Sequence, residues 1–185
     1  TPEHLKDALA RIRQSGEGDG LNVDLGEPDG VTTFFKAADK YLGGLDIAVI
    51  NAAIPIGALS ESKADELRYA IATDFTAYLT STHAASERLK DEGDIVLIGS
   101  MSAHTLEGGT TVYAGMKAGI AGFAEALRKE LGPKGVRVAL VEPGKTSADF
   151  HYPDISTEEQ HGMVKEETML RAQDIAVGVH YLLTQ

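Results

Sequence analysis

Tyr113 and Lys117 stand four residues apart in a segment rich in helix formers, so their side chains project from one helical face. A free phenol titrates at about 10, and a nearby cation favours its ionised form. A tyrosine with a lysine one turn away is therefore a candidate proton-transfer pair. Ser100 precedes Tyr113 by thirteen positions and directly follows the apolar run DIVLIG (94–99). Around the pair lie Ala114, Gly115, Ala118, Gly119, Ala121 and Gly122. Each glycine costs a helix roughly 1 kcal/mol against alanine, so three of them point to close packing against a backbone or a flat ligand.

The elements that must position these residues follow from periodicity. Residues 3–14 read as a helix stopped near Gly16, and a short run from Leu21 to Leu25 reads as a strand. A helix is expected over 30–42, before Gly43-Gly44, and mostly helical sequence over 61–90. LDIAVI (45–50), DIVLIG (94–99) and VRVALV (136–141) are continuous apolar runs with β-branched residues. Residues 111–131 form a helix that stops at Gly132-Pro133. Residues 143–156 read as a loop or lid, and 172–184 as a last helix. Strands apolar on both faces and separated by helices imply a parallel sheet covered on both sides. The expected fold class is α/β, a doubly wound parallel sheet (Rossmann-like) in three αβα layers. In such sheets ligands bind at the carboxyl ends of the strands. Those ends carry Asp24, Asn51-Ala52-Ala53, Ser100-Met101-Ser102 and Glu142-Pro143-Gly144.

Composition narrows the class. The chain has 185 residues, enough for one domain over 1–185, and is 43% hydrophobic and 24% charged. A net charge of −11 argues against nucleic-acid or anionic-membrane binding. It does not argue against an anionic cofactor, which needs only local donors and helix N-termini. There is no cysteine, so thiol chemistry and disulfides are excluded. No apolar run approaches the ~18 residues of a membrane span, and no signal pattern is visible. A cytoplasmic location is expected.

Taken together, these residues resemble the short-chain dehydrogenase/reductase family. Tyr113-Ala-Gly-Met-Lys117 matches its YxxxK, with Ser100 at the usual spacing. Asn51-Ala52-Ala53 stands for its Asn-Ala-Gly and Pro143-Gly144 for its Pro-Gly. Asp24 lies where the family places an acidic residue beside the adenine, with Leu25 next to it. The resemblance runs from about residue 3 to residue 184. It implies an NAD(P)-dependent oxidoreductase acting on an alcohol or carbonyl, with NAD or NADP as cofactor and Tyr113 as general acid/base. Ser100 would hold the substrate oxygen, and Lys117 would bind the nicotinamide ribose and favour the Tyr113 phenolate. Asn51, Ala52, Ala53, Pro143, Gly144, Lys145 and Thr146 would line the cofactor. Ala148 replaces a frequent family threonine, so Thr146 or Ser147 would take its contact. A substrate lid is expected at about 145–170, partly apolar through His151, Tyr152, Met163 and Met169. A homodimer or homotetramer through the helices at 61–90 and 111–131 is also implied.

The sequence departs from the family's pattern. The first strand, its glycine-rich turn, the second strand and the last strand have no counterpart, so the chain is expected to belong to a longer molecule. Gly16-Glu-Gly18-Asp-Gly20 precedes a strand instead of linking a strand to a helix, and reads as a flexible turn. Asp74 occupies the position of the family's active-site asparagine, within Thr73-Asp74-Phe75-Thr76. It would keep the helix kink and add a negative charge near Lys117.

Other readings are weaker. Gly144-Lys145-Thr146 lacks the preceding glycine of a phosphate loop, because Ala139 stands there. Ser100 is not in a G-x-S-x-G elbow. His104, His151, His161 and His180 lack metal-ligand spacing, so no metal is expected. Glu158, Glu159, Glu166 and Glu167 read as a solvated helix face. The main rival is a non-catalytic NAD(P)-binding or regulatory member of the fold, which Asp74 would suit. An epimerase or dehydratase is a second rival, disfavoured by the intact Ser-Tyr-Lys spacing.

Overall fold

The computed structural model describes residues 2–147, Tyr152 and residues 155–185. The expectations for Ala148 and His151 lie outside the described residues. Three strands form a parallel sheet in the order β1 (Leu45–Ile50), β2 (Leu89–Ile98), β3 (Arg137–Val141). Register pairs Ala48 with Ile95 and Ile95 with Val138. Helices flank the sheet in the Rossmann-like α/β manner. These are α1 (Pro2–Ile12), α2 (Gly30–Leu42), α3 (Ala64–Ile71), α4 (Ala77–Ser86), α5 (Ser102–Thr105), α6 (Thr111–Leu131), α7 (Thr157–Lys165) and α8 (Ala172–Thr184).

The strand period of two sorts the sheet's side chains by face. Ile95, Leu97 and Val138 turn toward α4 and α6, where they bury Tyr78, Ile120, Ala124, Leu127 and Leu131. Ala48 joins Phe35 of α2 and Ala85 of α4 in a second cluster. The alternate positions Val96 and Ile98 are also buried, as runs apolar on both faces require. On β1, however, Ile47 and Val49 remain 45% and 46% exposed. Two-sided covering therefore reaches β2 but not β1 among the described residues.

Three elements differ from the sequence reading. Leu21–Leu25 is irregular backbone and not a strand, so Asp24 does not end one. No described strand lies beside that run, and β-branched residues without a ladder partner do not make a strand by themselves. Gly18 and Gly20 lie against Ile12 and Leu5 of α1, so the glycine segment packs on its own helix. The stretch 61–90 is mostly helical, as expected, but it is divided. A π-helical turn at Ala72–Thr76 separates α3 from α4, and β2 begins at Leu89, earlier than the apolar run. Bidentate bonds from Arg88 to Asp39, at 2.7 and 2.9 Å, tie the end of α4 to α2 at that point.

The helix ends obey local rules. Gly43 takes a left-handed φ of 69° and closes α2 on the Asp39 carbonyl. Ser156 and Glu159 form a reciprocal capping box at the start of α7. Glu158 and Glu159 lie exposed there, while Glu166 and Glu167 follow the helix and are exposed too. The segment after α7 is tied back by the Thr146–Leu170 bridge, and Gln160 of α7 is buried and accepts from Ser147 at 3.0 Å.

Leu97 is fully buried at the centre of the sheet. Leu97→Ala should lower unfolding free energy by about 2–5 kcal/mol. Urea denaturation measures it, and a loss within error would contradict this account of the core.

Candidate active site

The carboxyl end of β2 delivers Ser100, and the loop after β3 lies beside it. The Met101 N–H donates to the Pro143 carbonyl at 2.9 Å, and the Gly99 N–H to that of Val141 at 2.7 Å. Pro143 is thereby fixed next to the serine, while Gly144 and Lys145 are exposed. Thr146 donates from its hydroxyl to the Gly144 carbonyl at 3.0 Å. The Lys145 side chain extends over the Tyr152 ring, 5.3 Å from its centroid. After β1, Asn51 and Ala52 are exposed and Ala53 is half-buried. These positions share one edge of the sheet, as expected.

Helix α6 crosses that edge. The Ser100 hydroxyl hydrogen-bonds the Tyr113 phenol. Its oxygen also accepts from the Ser102 N–H at 3.1 Å, which orients it. Lys117 is only 2% exposed. Its ammonium donates to the Ile98 carbonyl at 3.0 Å and to the Tyr78 hydroxyl at 3.4 Å. It lies 5.6 Å from the centroid of the Tyr113 ring and 4.8 Å from that of Tyr78. Tyr78 itself donates to the Ile98 carbonyl at 2.9 Å. Close approach of α6 depends on Gly119, where a β-carbon would stand 2.8 Å from the Phe75 ring in the π turn. Gly115 and Gly122 meet nothing within 4 Å, so packing within the chain explains one glycine of the three.

The π turn places Asp74 in the interior, with no exposed surface. Its Oδ1 accepts from the Ile54 N–H at 2.8 Å, and its Oδ2 is buried without a hydrogen-bond partner. A π-helical turn stands at the position where a kink is expected, and π turns often mark functional sites. Burial pushes the Asp74 carboxyl up to about 6, against the Ile54 bond and the Lys117 charge. Burial also brings the Lys117 ammonium down to about 8, against the Asp74 charge. The Tyr113 phenol is raised above its ordinary value, chiefly by burial. The Ser100 bond opposes that rise, while the Asp74 charge adds to it. The Lys117 ammonium, expected to favour the phenolate together with an oxidised nicotinamide, is turned to the Ile98 carbonyl.

Asp24 does not join this cluster. Its carboxylate accepts from the Tyr69 hydroxyl at 2.7 Å and from the Gly26 N–H at 2.9 Å. Gly30, packed against the Asp24 backbone carbonyl, leaves no space for a β-carbon and holds this segment on α2. Leu25 is half-buried beside it. A cleft of about 410 Å³ opens between Ile54, Glu61 and Tyr69, and none of Ser100, Tyr113 or Lys117 lines it. Sequence reasoning missed Tyr78, whose signal was an aromatic with a polar tip four residues beyond Asp74, one helical turn away. It also missed the pairing of His104 with Glu142, at 3.0 Å. No group of three or more metal-ligating side chains occurs among the described residues, and no described helix is long and apolar enough to cross a membrane.

Asp74 has a pH signature. Its folded pKa lies above the unfolded value of 3.8, so its contribution to stability is complete below that value and is lost as pH rises through about 6. Asp74→Asn keeps an acceptor for Ile54 and removes the titration. Relative to the wild type, the variant should gain on the order of 2 kcal/mol between pH 4 and pH 8. Parallel pH profiles of unfolding free energy would show that the Asp74 pKa is the same folded and unfolded, against this account.

A nicotinamide–ribose end would fit this edge. Small residues leave it open at Ala52 and Gly144, and a hydroxyl, a phenol and an ammonium converge beneath it. No glycine-rich pyrophosphate cradle lies among the described residues. The sequence profile of the family described as short chain dehydrogenase matches residues 1–159. A 3-oxoacyl-(acyl-carrier-protein) reductase of Haemophilus influenzae is 30% identical over 173 residues, covering 90% of this chain and 71% of that protein. A serine 3-dehydrogenase of Agrobacterium fabrum is 28% identical, covering 99% of this chain and 75% of its own length. A dehydrogenase/reductase structure from Sinorhizobium meliloti superposes with a TM-score of 0.86 at 28% identity, over 98% of this chain and 74% of that one. A short chain dehydrogenase from Burkholderia cenocepacia, solved with NADP, gives 0.84 at 26% identity, over 97% and 75% of the two chains. With the profile spanning most of the sequence and the fold shared throughout, this chain belongs to the short-chain dehydrogenase/reductase family of Rossmann-like oxidoreductases.

Proposed function

We propose that this protein transfers a hydride between NAD or NADP and a small alcohol or carbonyl substrate, with Tyr113 as general acid/base. The observation that carries the reading is the Tyr113 phenol, bonded to Ser100 above a buried Lys117 at the sheet's carboxyl edge. The names of the relatives, a reductase, a dehydrogenase and a structure with NADP, support it.

The cofactor, when bound, supplies or accepts the hydride. The protein's work is then positioning and proton management. As a carbonyl carbon gains a hydride, its oxygen gains negative charge. Ser100 donates a hydrogen bond to that oxygen and holds it beside the Tyr113 hydroxyl, which gives up its proton. In alcohol oxidation the Tyr113 phenolate takes the proton instead. Lys117 stabilises the phenolate by charge once its ammonium is turned from the Ile98 carbonyl. Asn51, Ala52, Ala53, Pro143, Gly144, Lys145 and Thr146 line the cofactor side in this reading, and Asp24 with Leu25 lies toward the adenine. The segment around 145–170 closes over the substrate, and the 61–90 and 111–131 segments form the contacts of a homodimer or homotetramer.

Tyr113→Phe removes the exchangeable proton and keeps the ring. Turnover should fall by roughly 10²–10⁴, with cofactor binding largely kept. A phenylalanine variant that turns over like the wild type would sink the assignment. Cofactor choice is read by thermal unfolding in NAD(H) and NADP(H). One pair, at about a hundred times its dissociation constant, should raise stability by about 2.7 kcal/mol. No shift with either pair would leave Ser100, Tyr113 and Lys117 without the partner they need.

A further inference from the structure

Asp74 poses a problem that the proton-transfer reading leaves open. A carboxyl group in an interior site normally has both oxygens satisfied. Here Oδ1 is fixed on the Ile54 N–H and Oδ2 is buried with no partner. The π turn at Ala72–Thr76 brings the group there, and the Gly119–Phe75 contact clamps α6 against the turn. An uncommitted carboxylate oxygen thus lies in the same dry region as a phenol and an ammonium, where charges are weakly screened.

The titratable groups around it can be named element by element. From α4 comes Tyr78, and from α6 come Tyr113 and Lys117; each of the three responds to the Asp74 charge. On α3, the Tyr69 hydroxyl is held by Asp24, and Asp65, Glu66 and Arg68 are exposed. On α4, His83 is exposed as well. No other charged side chain among the described residues competes for the interior position.

We infer that Asp74 is a positioning residue whose buried carboxylate keeps the proton on Tyr113 and the charge on Lys117, setting the site as a proton donor suited to carbonyl reduction. A negative charge beside a phenol opposes its ionisation, and the same charge beside an ammonium opposes its deprotonation. Both effects preserve the protonated partners that reduction uses. Alcohol oxidation needs the phenolate, so the same charge works against it near neutral pH. Tyr78 responds in the same sense as Tyr113 and adds no competing charge, because its phenol stays protonated. The inference rests on the proposed role of Tyr113, yet it concerns where a proton sits and so can be tested without turnover.

The experiment is a pH titration of the full chain labelled with ¹³C at the tyrosine ζ-carbon and the lysine ε-carbon. Loss of a signal in Tyr113→Phe assigns the Tyr113 resonance, and Lys117→Arg assigns the lysine. In Asp74→Asn, which keeps the acceptor for Ile54 and removes the charge, both midpoints should move to lower pH. In Asp74→Glu, which keeps a charge, they should stay near the wild-type values. Unchanged midpoints in Asp74→Asn, or equal movement in both variants, would overturn the inference. Should Asp74→Asn fail to fold, ¹³Cγ-aspartate labelling of the wild type decides. The Tyr113 resonance must then inflect at the pH where Asp74 titrates, and its absence there overturns the idea. Failure of this test leaves the proposed function standing if Tyr113→Phe is inactive. An active Tyr113→Phe removes that function whatever the titrations show.

Discussion

The buried ammonium of Lys117 is the constraint around which this site is organised. A cation almost wholly removed from water must find oxygens, and here it finds the Ile98 carbonyl and the Tyr78 hydroxyl. That carbonyl belongs to the last residue of β2, so it also fixes where the sheet's carboxyl end lies relative to α6. Tyr78 reaches the same carbonyl from α4. One backbone oxygen therefore ties a strand and two helices together at the point where Ser100 emerges. Placing a charge there is costly unless it is paired or hydrogen-bonded. The surrounding polar groups meet that cost at the edge where Ser100 and Tyr113 stand.

The rest of the architecture keeps these parts close. Helix α6 can approach the π turn only because Gly119 has no side chain. The π turn, in its turn, rotates Asp74 inward, where a regular helix would distribute residues 72–76 differently. The end of β2 is locked to the β3 loop through the Met101–Pro143 hydrogen bond. Hydrophobic burial of Ile95, Leu97 and Val138 holds the strands beneath, without any direct role in the chemistry. Stability and function thus divide along the strand, with apolar packing in the middle and polar placement at the carboxyl end. This is the common division in open α/β sheets.

Family membership bears on how far this placement can be read. The relatives are matched over nearly all of this chain but over about three quarters of their own lengths. What is common is the part of the fold that in this chain carries the phenol, the lysine and the serine. Asp74 stands at the position where the family's pattern leads one to expect an asparagine. An asparagine there would offer a neutral amide; the aspartate offers a titratable charge in the same buried turn.

Much of this was legible in the residues themselves. The i, i+4 spacing of Tyr113 and Lys117 needs only helical periodicity to be read, and three β-branched apolar runs separated by helices require a parallel sheet. Strand-end placement of Ser100, Asn51 and Pro143-Gly144 follows from local chain order. Other features depend on what packs against what. Leu21–Leu25 has strand-like residues but no described neighbour to pair with, and pairing is not encoded in five residues. The π turn inside 61–90 depends on the approach of α6, and the earlier start of β2 on its pairing with Leu45. Tyr78 became part of the site only when the sheet brought the Ile98 carbonyl to it. The directions in which Asp74, Lys117 and Tyr113 titrate came from burial, which no spacing reveals. Sequence alone determined which groups could exchange a proton, because residue type and helical period are local. Tertiary structure decided how dry the groups are and which charge faces which, because desolvation and Coulomb energies depend on distance in space.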